Sequence, residues 1–245
     1  MSKTYGKYNW KNTGFPIVYD KTTKETILPM FPVVFYDDFI GSAGGSVFDG
    51  TMLWAVVDVN DATEAIVADS SNGLFLLHLH VTSEDEDAVL YMGNNRNFDI
   101  SKGLIWEARV NLENLPTLTA EAVWGVCGIH ALANDAILVS AWFKADGSGA
   151  LLVETDDTTN DNDDTATGIT MAAGTYYNFR IDFTDEEDVK FYVNDVRVAA
   201  ATTFDMSNLA GDEYKVQPYF DLDKTGDAGL GDLNIDYVRM FQDRS

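Results

Sequence analysis

Residues 189–198 read Val-Lys-Phe-Tyr-Val-Asn-Asp-Val-Arg-Val, and they describe two short strands folded on a turn. Asn194 and Asp195 supply the turn, because both residues tolerate left-handed backbone angles. Just upstream, Tyr176–Phe183 is another apolar-rich run bounded by turn residues. The same grammar extends in both directions. Toward the N-terminus the predicted strands are Val33–Ile40, Leu53–Val57, Leu74–Val81, Ala88–Met92, Leu104–Leu112, Val123–Ala133, Ile137–Lys144 and Ala150–Glu154. Toward the C-terminus they are Lys215–Leu222 and Leu230–Phe241. Several alternate with period two: Phe75, Leu77, Leu79 and Val81 share one face, while His78 and His80 share the other. About a dozen strands without a helical pattern make an all-β fold of two packed antiparallel sheets.

A chain of 245 residues, 46% apolar, has enough material for one such sandwich. Residues 156–168 (DDTTNDNDDTATG) read as a polar loop. Residues 1–34 read as irregular, since Pro16, Pro29 and Pro32 interrupt regular structure. The expected organisation is therefore an extended basic arm, 1–34, followed by one jelly-roll domain, 35–245.

Charge separates these two parts. The chain carries −24 overall, yet residues 1–35 hold Lys3, Lys7, Lys11, Lys21 and Lys24 against only Asp20 and Glu25. A net +3 arm thus precedes a −27 body, which suggests that the arm docks on an acidic surface such as a neighbouring copy. The arm is also aromatic (Tyr5, Tyr8, Trp10, Phe15, Tyr19), unlike a solvated tail. Nucleic acid is excluded as a partner by the acidic body. No secretory signal and no membrane-spanning run is present, so a soluble protein is expected. The single cysteine, Cys127, rules out an intrachain disulfide and reads as a small core residue.

Four segments carry a resemblance to a known family. They are Phe35-Tyr-Asp-Asp-Phe39, Gly103-Leu-Ile-Trp-Glu-Ala-Arg-Val110, Gly174–Asn194, and Ile235-Asp-Tyr-Val-Arg-Met-Phe-Gln242. Their order resembles the concanavalin A-like jelly rolls of family 16 glucanases and laminin-G-type domains. That resemblance implies the fold, not an activity. The glucanases carry a Glu-Xaa-Asp-Xaa-(Xaa)-Glu strand whose carboxylates share one face as nucleophile and acid/base. Here the corresponding strand, Ala136-Ile-Leu-Val-Ser-Ala-Trp142, has no carboxylate, and Glu154-Thr-Asp-Asp-Thr-Thr159 begins like the motif but ends in Thr. No catalytic residues are assigned, and an enzyme is not expected.

Other constellations are weaker. Asp221, Asp223, Thr225, Asp227 and Asp232, with Gly226 between, copy an EF-type calcium spacing, but the same residues make an ordinary Gly/Asp hairpin loop, which is the favoured reading. His78 and His80, with His130, are a candidate metal set, against a plain polar sheet surface. Trp106, Trp124 and Trp142 are expected in the core. Trp10 and Trp54 are candidates for a surface role, and Trp54 is the candidate glycan contact.

The short arm, the lone jelly roll, Phe35–Phe39 and Glu154-Thr-Asp-Asp157 before an acidic stretch also resemble the concanavalin A-like proteins of tailed-phage virions. This resemblance implies a non-enzymatic capsid cement protein on the virion surface, as a trimer. Its partners would be the major capsid protein and neighbouring copies. The arm lysines would lie near acidic shell residues, and Tyr5, Tyr8, Trp10, Phe15 and Tyr19 would fill grooves. The alternative is a carbohydrate-binding module or lectin using its concave sheet face.

Overall fold

A computed structural model describes residues 5–7, 18–20, 26–27, 33–40, 53–67, 70 and 73–243. In chain order the strands are β1 (Tyr5–Lys7), β2 (Val18–Asp20), β3 (Thr26–Ile27), β4 (Val33–Asp37), β5 (Ala55–Val59), β6 (Thr63–Ile66), β7 (Phe75–Leu79), β8 (Glu86–Tyr91), β9 (Phe98–Asp99) and β10 (Ile105–Asn114). They continue as β11 (Glu121–Cys127), β12 (Val139–Ala145), β13 (Ala150–Asp157), β14 (Asp161–Thr170), β15 (Tyr177–Asp182), β16 (Lys190–Val193), β17 (Val196–Val198), β18 (Lys215–Lys224) and β19 (Gly231–Gln242). Helical structure among the described residues is limited to three single 3-10 turns.

Two large antiparallel sheets form the body. Sheet I runs β17-β16-β15-β10-β19-β7-β6, with β4 also pairing β19. Sheet II runs β14-β13-β12-β11-β18-β8-β5, with β9 pairing the start of β18. The 189–198 hairpin is β16–β17, and Asn194 and Asp195 take φ of 49° and 66°, as the turn requires. Alternation drives the core. From sheet I, Leu77, Trp106, Phe179 and Phe191 point inward; from sheet II, Leu90, Trp124, Phe143 and Phe220 meet them. Trp124 packs edge-on to Phe179 at 5.0 Å, and Phe143 edge-on to Phe191 at 5.3 Å. In β19 the pairing with β10 slips at Asp236, so Leu233 and Ile235 on one side and Val238 and Met240 on the other all face inward.

One end of the sandwich is pinned by charge. Lys224 and Glu86 are both fully buried, 3.3 Å apart. Lys224 Nζ donates to the carbonyls of His80 (2.5 Å), Thr82 (2.8 Å) and Gly229 (3.2 Å), while Glu86 accepts from the His80 N–H at 2.7 Å. Buried charges persist when paired and hydrogen-bonded in this way.

Several expectations are corrected. Residues 161–170 form β14, an edge strand, rather than a loop. Val123–Ala133 is strand only to Cys127, and 128–138 is a loop. Thr63–Ile66 is an additional strand. The arm is not wholly irregular, because β1, β2 and β3 pair as a small antiparallel sheet. Tyr5, Lys7 and Tyr19 fall on those strands. Lys3, Tyr8, Trp10, Lys11, Phe15, Lys21 and Lys24 lie outside the described residues.

Candidate functional site

The outer face of sheet II is the chemically rich surface. Strand register sets Tyr91, Tyr219, Gly125, Trp142 and Glu154 in one row across β8, β18, β11, β12 and β13. Gly125 lacks a side chain where one would collide: an added Cβ would sit 2.3 Å from the Ala141 carbonyl oxygen and 2.6 Å from Trp142 Cα. The Trp142 and Tyr219 rings therefore meet across it, 5.9 Å apart.

Loop 128–138 lies over part of this row. Asn134 Nδ2 donates to Asp221 Oδ2 at 2.6 Å, and the Tyr219 hydroxyl donates to Asn134 Oδ1 at 2.9 Å. Gln217 Nε2 donates to the Gly128 carbonyl at 2.8 Å, and the His130 N–H to Asn94 Oδ1 at 2.9 Å. The His130 ring rests 4.7 Å from Tyr91. Ile129, Leu132 and Leu138 remain exposed on the loop.

Beside the loop, a cavity of about 200 Å³ remains open between Asn134–Ile137, the outward residues of β12 and β13, and the start of β14. Trp142 and Ile137 give it an apolar side. Ser140, Asn134, Asp135, Glu154, Asp156, Asp161 and Asp163 surround that side with hydroxyl, amide and carboxylate groups. Glu154 is fixed: Trp142 Nε1 donates to its Oε2 at 2.7 Å and Lys144 Nζ reaches its Oε1 at 2.7 Å. Lys144 also bonds Asp164 at 2.7 Å. Burial pushes the Glu154 carboxyl up, against the pull of Lys144 and Trp142. Burial likewise raises Asp156. Burial opposes the charge on Lys144, but its bonds to Asp164 and Glu154 outweigh that and hold it above its ordinary value. The cavity is smaller than the roughly 300–1,000 Å³ of sites that enclose drug-sized ligands, so it has room for one ring-sized unit.

A second group sits under the loop. Asp87 on β8 lies directly opposite Asp223 on β18, and Asp221 is two residues along. Among the described residues none of the three buried Oδ1 atoms meets an N–H donor, and the Asp87 and Asp221 carboxyls share a hydrogen bond with each other. Burial pushes Asp87 up to about 6 and Asp223 up to about 7, the latter helped by the charges of Glu121 and Asp87. Asp221 is held well above the carboxylate range by burial and by both neighbours.

These positions dispose of several expectations. Trp54 is not a surface contact. It is 3% exposed, its Nε1 donates to Asp37 Oδ2 at 2.7 Å, and its ring packs against Phe35 and Phe39. The EF-type spacing does not fold as a calcium loop. Asp221 and Asp223 stand on β18 on the outer face of sheet II, Asp221 buried and Asp223 partly buried. Thr225 and Asp227 belong to the β18–β19 turn, where Asp227 accepts from the Gly229 N–H at 2.6 Å. Asp232 is on β19 in the other sheet. Pairing of β18 and β19 into different sheets sends these oxygens to different faces, and the plain turn is what forms. His130 lies on sheet II while His78 and His80 lie on sheet I, so the three do not converge. Trp106 and Trp124 are core; Trp142 is buried on the outer face instead. Cys127 is buried, and burial raises its thiol well above its ordinary value, which leaves it inert.

Of the cavity residues, sequence reading named Glu154 and Asp156 as part of Glu154-Thr-Asp-Asp157 and Trp142 as a core residue, none of them as a binding residue. The spacing of Glu154 and Asp156, two apart on a strand, was the available signal. Asn134, Asp135, Asp161 and Asp163 carried none.

No protein-family model matches the chain, and no curated protein matches it. Solved structures do. A Shewanella oneidensis protein of unknown function superposes with a TM-score of 0.59 at 13% identity, covering 85% of this chain and 86% of that one. A β-1,3-glucanase from Mycobacterium marinum gives 0.56 at 16% identity, covering 84% and 97%. The carbohydrate recognition domain of Emp47p gives 0.51 at 9% identity, covering 78% and 89%. At these identities the likeness shows the fold, a concanavalin A-like jelly roll, and nothing about activity.

Proposed function

We propose that the chain is a non-catalytic carbohydrate-binding domain that takes one sugar unit in the cavity beside Trp142. The observation that carries this reading is the cavity itself: an apolar side from Trp142 and Ile137, ringed by side chains that accept hydrogen bonds from hydroxyls. A pyranose presents the complementary pattern, with an apolar face for the indole and hydroxyls for carboxylates and amides. The sugars favoured are neutral or amine-bearing, because Asp135, Glu154, Asp156, Asp161 and Asp163 repel anionic ones. That glucanases and a carbohydrate recognition domain share the fold adds support.

Hydrolysis is disfavoured. On the face where a retaining pair would stand, β12 presents Ser140, Trp142 and Lys144. Glu154 is committed to Trp142 and Lys144, and Asp221 is sealed under Asn134. A glycan array is the test. Asp156→Asn should weaken the bound glycan without unfolding, whereas Trp142→Ala tests the apolar side at some risk to folding. An array without a hit refutes binding, and release of reducing ends from laminarin or lichenan refutes the non-catalytic part.

A second reading rests on one observation, the +3 arm on a −27 body. It is capsid decoration, with the arm on an acidic shell surface. Deleting residues 2–30 should then abolish capsid occupancy while the jelly roll still folds. Normal decoration by the truncated chain would end this reading.

A further inference from the structure

We infer that the outer face of sheet I carries a site for one divalent transition-metal ion of the copper(II)/nickel(II) class, held by the imidazoles of His78 and His80 and oriented by Asp232. The site is separate from the sugar cavity and does not depend on it.

The geometry begins with β7. Leu77 and Leu79 point into the core, so His78 and His80 leave the strand on the outer face together. Their ring centroids are 4.5 Å apart with planes at 77°. With metal–nitrogen bonds of about 2.0–2.1 Å in the ring planes, imidazoles at neighbouring positions of one ion have centroids about 4.5 Å apart at a right angle and about 5.2 Å at the tetrahedral angle. The observed separation matches the right angle, which tetragonal copper(II) and nickel(II) prefer over tetrahedral zinc.

The surroundings are already built for ligation. His78 Nδ1 is hydrogen-bonded to Asp232 Oδ1, and Asn114 Nδ2 donates to Asp232 Oδ2. A carboxylate on one ring nitrogen fixes the tautomer and leaves Nε2 with its lone pair free, as metal-ligating histidines require. His78 is partly exposed, so an ion can reach it. Among the described residues His80 Nδ1 is buried without a hydrogen-bond partner, an orphan that an ion would satisfy. The backbone of His80 is clamped on both sides by Glu86 and Lys224, which fixes the point from which its side chain leaves the chain. Among the described residues no three His, Cys, Asp or Glu side chains converge as a closed ligand set. The ion would therefore keep several positions for water or for a group from another molecule.

Calorimetric titration of the untagged full chain with nickel chloride tests this directly. The expected result is one ion per chain, bound at least tenfold more weakly after His78→Gln or His80→Gln and unchanged after His130→Gln. Asp232→Asn should weaken binding by about 10–100-fold, the usual cost of removing an orienting carboxylate. A measurement on the unaltered protein guards against misfolded variants: copper(II) should broaden the imidazole resonances of His78 and His80 and spare those of His130. Absence of saturable nickel binding up to millimolar concentration, binding that survives both glutamine variants, or broadening centred on His130 would each overturn the inference.

Discussion

Replacing Asp223 with Asn should stabilise this protein at pH 8 and do much less at pH 4.5. Asp223 faces Asp87 across β18 and β8 with Asp221 beside them, and like charges directly opposite on a sheet repel. Its carboxyl is raised from 3.8 to about 7. An acid whose folded pKa lies above its unfolded value gives its full stabilisation below the unfolded value, and that contribution is lost as pH rises through the folded one. For Asp223 the loss falls between about pH 4 and pH 7, and Asp87, raised to about 6, adds to it over the same window. At about 1.4 kcal/mol per unit, a shift of roughly three units corresponds to at most about 4 kcal/mol. Partial exposure of Asp223 and titration shared among the three groups bring the expectation down to about 2 kcal/mol. In a chain of this size that is about 4–8 °C in Tm. The assay is thermal and urea unfolding of wild type and Asp223→Asn from pH 4.5 to 8. If the gap between the two proteins does not widen with pH, the carboxyl cluster is not the source of strain and the reasoning fails.

Lys224→Met should cost about 3–5 kcal/mol in urea unfolding, because it leaves Glu86 buried and uncompensated. Gly125→Ala forces a Cβ into the β12 backbone, so a loss of about 2 kcal/mol or more is expected, with a fall in near-ultraviolet circular dichroism from Trp142 and Tyr219. Asn134→Ala removes the link from loop 128–138 to Asp221 and Tyr219; amide exchange should speed up across that loop and not in β11, with about 1–2 kcal/mol lost.

The fold was legible because most strands bury one face and show it as alternation. β7 and the β16–β17 hairpin are plain examples. What was misread has physical causes. β14 is a sheet edge facing solvent, so Asp161, Asn162, Asp163 and Asp164 give it the composition of a loop. Residues 128–133 look like a continued strand because their apolar residues pack on, or protrude from, the outer face of sheet II rather than entering the core. Trp54 lacks any local sign of burial, since its partner Asp37 is 17 residues away. The cavity was illegible because strand pairing brings together three segments, 134–142, 154–156 and 161–163. Likewise Asp87 meets Asp223 only through a register that no local pattern encodes.

The acidity of β14 has a further consequence, for association. Among the described residues it is the terminal strand of sheet II, with one row of backbone N–H and C=O groups facing no neighbouring strand, and such a row is a template for fibre growth. Three aspartates within four residues, and two slips in its pairing with β13, make this edge charged and uneven. A second copy approaching edge to edge meets like charge and mismatched register. Even where many copies crowd together, the sheet is therefore expected to end at β14 instead of extending from one molecule into the next.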